Sequence, residues 1–184
     1  MIHNLWATPI DRGTFDSTEL AQTILSEFNL QDPPGDLNDY NLFDSESKAL
    51  NDLKVLAYNN FKKYILEAYN VDIDTYDSKI KAWITGHGQN YSMTIHNHSG
   101  AHFSAVYYVL AEEQDQGGQL VLTDPRTNAN RGYDDKFRNS FKQENIQPVT
   151  GDYVIFPSFV YHHVNPYYSQ FRIAIPIDLY LFED

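Results

Sequence analysis

Three histidines in this chain are spaced so that they can bind one metal ion. His96 and His98 stand two residues apart in the stretch Met93–His98, and His162 follows much later in the sequence. Side chains two residues apart lie on the same face of an extended strand, whereas His163 would point away from its neighbour His162. Imidazole nitrogens that converge from two strands are common ligands of iron and zinc. We therefore expect His96, His98 and one of the two neighbours His162 and His163 to be metal ligands.

Arg172 is a second candidate for a functional role. It is the first residue of a segment near the end of the chain in which aliphatic residues alternate with other residues. Every second residue after it is aliphatic, which predicts one apolar face for a core: Ile173, Ile175, Ile177, Leu179 and Leu181. Arg172 lies on the other face, where the small Ala174 leaves room for a ligand. A planar guanidinium suits two-point binding of a carboxylate, so we expect Arg172 to bind an anionic co-substrate. The alternative is an arginine that faces solvent on an edge strand.

Further residues are candidates for the same pocket. We predict that Tyr91, Tyr107 and Arg126 line the cofactor site, with Tyr108 as an additional candidate. The chain holds 14 Tyr and 11 Phe, so packing is the better explanation for each aromatic side chain taken alone.

The bulk composition excludes several classes of function. The formal net charge of −12 opposes binding to nucleic acids or anionic membranes, and we expect neither as a partner. The chain has no cysteine, which excludes thiol catalysis, disulfides and cysteine metal sites. It also has no apolar run of membrane-spanning length and no leader-like opening segment. We expect a cytoplasmic protein, in the host cytoplasm if a phage encodes it. The oligomeric state is not predicted.

Helical patterns are confined to the first half of the chain. Capping residues at Asp16–Glu19 precede apolar residues at helical spacing, and a longer amphipathic helix is predicted from about Ser45 to about Tyr69. The simplest explanation of the apolar stripe on this helix is that it packs against a sheet. We also expect a first strand over Leu5–Ile10, a loop over Asp32–Tyr40 and a solvated acidic turn over Asp72–Asp77.

After Ser78 the pattern changes to strands separated by turn residues. Many successive strands behind a helical first half indicate an α+β, mainly β fold: a jelly-roll barrel (double-stranded β-helix) buttressed by N-terminal helices. We expect one domain over 1–184, with helical support at about 16–70 and a barrel core at about 79–182. The polar segment 127–145 is interpreted as a lid or a surface loop. The predicted strands are Lys79–Gly86, Ser92–Asn97, Phe103–Leu110, Gln119–Thr123, Tyr153–Phe156 and Arg172–Phe182.

Several sequence segments, taken together, resemble the 2-oxoglutarate- and iron(II)-dependent oxygenases. The resemblance is greatest to a prolyl-hydroxylase-like branch known mainly from bacteria and their phages. The resemblance covers about half of the chain, from Trp83 to Ile175. The segments that carry it are His96–His98, Ser104–Val109, Gly118–Leu120, Thr123–Arg126, Gly151–Ser158, His162–Pro166 and Arg172–Ile175.

The resemblance implies a jelly roll that binds iron(II) through His96, His98 and His162. It further implies that Arg172 pairs with the C5 carboxylate of 2-oxoglutarate. The implied reaction uses O2 to hydroxylate a substrate and releases succinate and CO2. The substrate is a peptide or a small molecule, and peptidyl, amino-acid and small-metabolite hydroxylation fit the same core.

His98 departs from the pattern of the wider superfamily, which has Asp or Glu at this position. Three neutral imidazoles leave the iron site one negative charge short. Either His98 is the ligand, or Asp124 or water completes the set. Asp124 precedes Pro125, and its simpler interpretation is a turn carboxylate paired with Arg126.

A cupin-type metal-binding barrel is the competing hypothesis, and a non-catalytic barrel stabilised by metal is a third. His96, His98 and His102 followed by His162 approximate the two cupin metal motifs, but the expected Glu is absent and Phe159 stands at the position of the second glycine. A cupin would act as an isomerase, as a dioxygenase that does not use 2-oxoglutarate, or as a binding module. Arg172 is the feature that a cupin does not require.

Overall fold

The fold is that of a computed structural model, which describes residues 7–15, 18–28, 35–37, 40–111, 116–126 and 143–182. Two α-helices lie in these residues, α1 (Thr18–Phe28) and α2 (Lys48–Tyr69), with short 3-10 turns at Leu42–Asp44 and Ile73–Thr75. The strands are β1 (Asp11–Thr14), β2 (Gly35–Leu37), β3 (Asp77–Ala82), β4 (Ile84–Gly88), β5 (Met93–His96), β6 (Phe103–Leu110), β7 (Leu120–Thr123), β8 (Gln143–Ile146), β9 (Asp152–Pro157), β10 (His162–Val164) and β11 (Phe171–Phe182).

The strands form two antiparallel sheets. The larger has the order β1-β9-β6-β11-β4-β2, with β3 also paired to β11, and the smaller has the order β5-β10-β7-β8. This is the predicted α+β, mainly β jelly roll with helices from the first half of the chain.

Helix α2 covers the outer face of the larger sheet. Its first turn is capped by Ser47, whose hydroxyl accepts a hydrogen bond from Leu50 N at 3.2 Å, and it ends at Asn70 in the left-handed conformation (φ 56°). The helix therefore begins slightly later than the sequence indicated. Its buried stripe belongs to the outer core and consists of Ala49, Leu50, Leu53, Ala57, Phe61, Tyr64 and Ile65.

Successive side chains of β6 and β11 point to opposite faces of the larger sheet, so each strand contributes to two separate cores. The outer core lies between the helices and the larger sheet and takes the aliphatic face of β11 that the sequence predicted, together with Ala105, Tyr107 and Val109 of β6. The inner core lies between the sheets and contains Val106, Tyr108, Leu120, Leu122, Ile146, Val154, Phe156, Val160 and Ala174. The remaining face of β11 therefore points into the barrel.

Several predicted boundaries at the start of the chain are wrong. Residues 7–10 are not in a strand, and β1 begins at Asp11, where it pairs with β9; Leu5 and Trp6 lie outside the described residues. Gly35–Leu37, predicted as part of a loop, adds a short strand to the edge of β4. The proposed helix caps Asp16 and Ser17 are also outside the described residues.

Other differences concern the barrel. The single strand predicted over Lys79–Gly86 is interrupted at Trp83, whose N–H donates to the Pro176 carbonyl at 3.2 Å, so β3 and β4 pair with different halves of β11. The end of the predicted insertion forms β8, which pairs with β7. Residues 127–142 lie outside the described part, so the lid hypothesis stays a prediction. No helix in the described residues is long and apolar enough to cross a membrane.

Leu53 and Leu66 allow a matched test of the outer core. Leu53 is fully buried on α2, whereas Leu66 on the same helix is 46% exposed. Leu53→Ala should reduce the free energy of unfolding by about 2–5 kcal/mol, because it leaves a cavity. Leu66→Ala should change it by about 0.5 kcal/mol or less. Urea unfolding of both variants checks this, and equal losses would contradict the packing described.

Candidate metal centre and carboxylate pocket

The three predicted metal ligands converge at one end of the barrel. His162 at the start of β10 lies directly opposite His96 of β5, and His98 follows β5 in a segment tied to the β9–β10 turn by its N–H bond to the Ser158 carbonyl at 3.1 Å. One ring nitrogen from each of His96, His98 and His162 lies within 4.8 Å of the other two. His163, as expected from alternation, is outside this cluster.

Hydrogen bonds orient all three imidazole rings. The Nδ1 atom lies 2.8 Å from the Thr94 carbonyl in His96 and 2.9 Å from the Val160 carbonyl in His162. In His98 it lies 2.7 Å from Asp178 Oδ1. Each partner is an acceptor, so Nδ1 carries the proton and Nε2 carries the lone pair in the neutral ring. This tautomer is the one that a metal ion requires, and the three side chains therefore fit a mononuclear site.

His162 is the most buried of the three, with 3% of its surface exposed. Burial lowers the pKa of its imidazole to about 3, against the opposing effect of the hydrogen bond to Val160. The neighbouring imidazoles His96 and His98 lower this pKa further. His162 is thus neutral, and able to coordinate metal, throughout the physiological range.

A buried polar chain lies behind His98. The Asp178 Oδ1 atom accepts from both His98 Nδ1 and Ser104 Oγ, each at 2.7 Å. Ser104 Oγ is in turn 2.7 Å from Ser158 Oγ. The indole of Trp83 flanks the same imidazole, with ring centroids 5.5 Å apart. His98 is therefore held by a carboxylate on one side and by packing on another.

Arg172 enters the barrel from β11, on the same strand face as Asp178. It is only 5% exposed, and its guanidinium carbon lies 5.2 Å from the centre of the Tyr108 ring. Gly118, at φ +69°, approaches from the other side: a Cβ there would be 3.2 Å from Arg172 Cδ and 2.8 Å from the Tyr167 ring. Glycine at this position lets the chain close over the arginine.

The pocket around Arg172 holds polar groups without partners. Arg172 Nε and the Tyr108 hydroxyl are buried and have no hydrogen-bond partner in the described part of the chain. Burial raises the pKa of Tyr108, against the opposing charge and close approach of the Arg172 guanidinium, so the hydroxyl keeps its proton and can donate it. Within the described ranges, no carboxylate forms an ion pair with Arg172. An anionic ligand would satisfy both donors.

Tyr91 lies next to this pocket. Its ring stacks on His87 at an interplanar angle of 7°, and His87 is the cross-strand partner of Arg172. The structure thus brings Tyr91 close to the predicted carboxylate site.

One predicted cofactor residue lies elsewhere. Tyr107 is in the outer core, on the opposite face of β6 from the barrel interior, because the side chains of a strand alternate. Tyr108 takes its place. Arg126 forms an ion pair with Asp124, and its side chain is 45% exposed. Its role in cofactor binding stays a prediction.

Asp124 is also accounted for by this pair. Its Oδ1 accepts from the Arg126 backbone N–H at 3.0 Å and from Nε at 2.9 Å, and the Arg126 guanidinium lowers the pKa of the carboxyl group. The histidine cluster contains His98 and does not include Asp124.

Sequence reasoning missed the polar chain of Asp178, Ser104 and Ser158. Asp178 is six residues after Arg172 and therefore lies on the same face of β11 by alternation, and a carboxylate facing a barrel interior needs a partner. The position of Asp178 on this face makes it a candidate, but the sequence does not show which histidine forms a hydrogen bond with it.

Comparison with protein families supplies the identification. Residues 81–178, more than half of the chain, match the model of the family described as "Putative 2OG-Fe(II) oxygenase". The chain belongs to this family. It is therefore an oxidoreductase of the 2-oxoglutarate- and iron(II)-dependent type, whose cofactors are iron(II), 2-oxoglutarate and O2. Membership of this family excludes the two competing hypotheses, a cupin-type barrel and a non-catalytic barrel stabilised by metal. No curated protein sequence matches the chain.

Solved structures similar to this oxygenase share its fold. A Pseudomonas putida prolyl-4-hydroxylase has a TM-score of 0.64 at 17% identity, over 98% of this chain and 91% of that chain. The viral collagen prolyl hydroxylase of Paramecium Bursaria Chlorella virus-1, in its 2OG complex, has a TM-score of 0.65 at 12% identity, over 95% and 96%. A Trichoplax adhaerens prolyl hydroxylase, in complex with a peptide fragment of the hypoxia inducible factor oxygen degradation domain, has a TM-score of 0.64 at 17% identity, over 94% and 83%.

The low pKa of His162 makes a prediction for the metal-free oxygenase. The pKa is about 3 in the folded protein and about 6.5 in the unfolded chain, so only the unfolded chain binds this proton between those values. The contribution of His162 to stability is constant above about pH 6.5 and is lost as the pH falls toward 3.

The free energy of unfolding of the wild type should therefore fall with acidification more steeply than that of His162→Leu. The difference should be about 1.4 kcal/mol per pH unit between roughly pH 6 and pH 4. Urea unfolding at several pH values measures it, and parallel pH profiles for the two proteins would contradict the burial described for His162.

Proposed function

We propose that His96, His98 and His162 are the iron(II) ligands of this oxygenase. Their convergence within 4.8 Å and the acceptor bound to each Nδ1 support this ligand set. The ion pair of Asp124 with Arg126 argues against Asp124 as the third ligand.

We further propose that Arg172 and Tyr108 bind the C5 carboxylate of 2-oxoglutarate, with Tyr91 near the same pocket. The observation that carries this proposal is the buried guanidinium without a carboxylate partner in the described chain. Isolating a charge in an apolar interior costs several kcal/mol. A carboxylate ligand removes that cost and also accepts the hydrogen bond of the Tyr108 hydroxyl.

The protein's part in the reaction is to bind, orient and exclude water. Bound iron(II) supplies the activation of O2 that is coupled to decarboxylation of 2-oxoglutarate and hydroxylation of a C–H bond. Arg172 fixes one end of the co-substrate, and the histidine cluster fixes the position at which its other end is held. The apolar inner core, with Phe156 packed against His162 at a ring distance of 5.0 Å, keeps bulk water from the centre.

As the substrate we propose a peptidyl group. Two large apolar side chains beside the ligands are exposed to solvent, Phe159 (58%) and Tyr161 (52%). Both lie in the turn before His162, so an apolar segment of a peptide can contact them near the centre. The Trichoplax adhaerens enzyme, which was solved with a peptide, supports this class. The cytoplasmic location also stays a proposal.

Binding of 2-oxoglutarate tests the carboxylate pocket. Titrated anaerobically into iron(II)-loaded protein, 2-oxoglutarate should bind the wild type, and Arg172→Ala should weaken binding by about 10²-fold or more, because a buried two-point ion pair is lost. Lys48→Ala, which removes an exposed cation that pairs with Asp52 on α2, is the matched control and should bind as the wild type does. Calorimetry measures all three, and an affinity that is unchanged in Arg172→Ala would refute the pocket.

Succinate release tests the substrate class. Peptides with apolar segments should increase succinate formation from 2-oxoglutarate above the uncoupled rate, and the doubly substituted variant Phe159→Ala/Tyr161→Ala should raise the KM for such peptides. Amino acids and small metabolites serve as the comparison pool. Stimulation by small metabolites alone would overturn the peptidyl proposal and leave the cofactor pocket unaffected.

A further inference from the structure

The buried partner of His98 has a consequence for the charge of the metal centre. Asp178 is 4% exposed and lies on the larger sheet, opposite the segment that carries His98. Its Oδ1 atom is 2.7 Å from His98 Nδ1, a distance typical of a charge-assisted hydrogen bond. This carboxylate contacts the one ligand that stands where the wider superfamily has an acidic residue.

The directions of the hydrogen bonds in this chain follow from counting protons. The Asp178 carboxylate has no proton to give, so the His98 Nδ1–H and the Ser104 hydroxyl both donate to it. Ser104 Oγ also lies 3.2 Å from His98 Nδ1 and is a second acceptor for that N–H. Ser104 has then used its single proton, and the Ser158 hydroxyl must donate to Ser104 Oγ. Ser104 and Ser158 are fully buried. The chain of donors thus fixes the carboxylate in one position, with a lone pair aimed at His98.

We propose that Asp178 is a positioning residue that provides the negative charge missing from the ligand set. The inference rests on the proposed iron site. Asp178 holds His98 with Nε2 toward the metal, and its hydrogen bond gives the imidazole partial anionic character. In the wider superfamily the acidic group coordinates the metal directly. Here the carboxylate would contact a histidine ligand and would be separated from the metal by the imidazole ring.

Known energetics support a role of this kind. A carboxylate that accepts the second N–H of a ligating histidine fixes the ring orientation and raises its basicity as a ligand. In a low-dielectric interior an additional negative charge stabilises the ferric state more than the ferrous state, because the ferric ion carries the greater charge. Asp178 should therefore affect both metal affinity and redox potential, whereas a residue that only packs would affect neither directly.

The test compares Asp178→Asn with wild type in two measurements. Asp178→Asn keeps the size of the side chain and one acceptor oxygen but removes the charge. Competition with a chelator should show an iron(II) affinity about 10- to 100-fold lower than that of wild type. The midpoint potential of the iron(III)/iron(II) couple in the iron-loaded protein should shift to more positive values. Asp52→Asn, an exposed carboxylate on α2 that pairs with Lys48, is the matched control and should change neither.

A third variant separates the charge from the hydrogen-bond chain. Ser104→Ala removes one donor to Asp178 but keeps the carboxylate, so the affinity should fall less than in Asp178→Asn and the potential should shift less. In zinc(II)-loaded wild-type protein, NMR should show a strongly downfield Nδ1 proton for His98. Its absence would overturn the proposal without any variant.

The outcomes distinguish this inference from the iron site itself. If wild-type protein does not bind iron(II), both fail. If wild type binds iron(II) and Asp178→Asn shows the same affinity and potential, the role of Asp178 alone is wrong. A lower unfolding midpoint of Asp178→Asn with an unchanged potential would mean that Asp178 is structural, and it would also overturn the proposal.

Discussion

The two-residue alternation of strand β11 is the constraint on which the rest of the structure depends. One face of β11 is continuous aliphatic core against the helices, and the other face presents Arg172 and Asp178 to the barrel interior. Because both faces belong to one strand, a shift of register by one residue would bury the charges in the outer core and expose the aliphatic face to the cofactor pocket. Pairing with β6, β4 and β3 along its whole length prevents that shift.

The polar side chains inside the barrel can be buried because each has a hydrogen-bond partner or lies where a ligand can provide one. His96 and His162 donate to backbone carbonyls, and His98 donates to Asp178. Arg172 is the exception, since it has no carboxylate within the described residues. A buried guanidinium without a carboxylate costs stability, and an anionic ligand would offset that cost. We propose that 2-oxoglutarate is this ligand.

Much of this could be predicted from the sequence because the relevant patterns are short and periodic. The opposed directions of His162 and His163 and the two faces of β11 follow from alternation, and the structure has them so. His96 and His98 converge as their spacing predicted, although β5 ends at His96 and His98 lies in the segment that follows it. The amphipathic pattern of α2 likewise predicted most of its buried residues, Leu50, Leu53, Ala57, Phe61 and Ile65, whereas Ala68, on the same predicted stripe, is exposed.

The features that sequence reasoning missed depend on which strands become neighbours. Tyr107 and Tyr108 are adjacent and chemically identical, so only the phase of β6 relative to the barrel distinguishes the outer core from the pocket. The partnership of Asp178 with His98 joins residues from separate strands. The short strand β2 forms against β4 despite its glycine and neighbouring prolines, because an edge strand needs few hydrogen bonds.

We propose that three neutral imidazoles, rather than two and a carboxylate, hold the iron of this oxygenase. Anomalous scattering from crystals grown anaerobically with iron(II) and 2-oxoglutarate would show the ligand set. We expect one iron peak at about 2 Å from Nε2 of His96, His98 and His162, with the C5 carboxylate of 2-oxoglutarate against Arg172. An iron peak coordinated by Asp124, or by only two of these histidines, would contradict it.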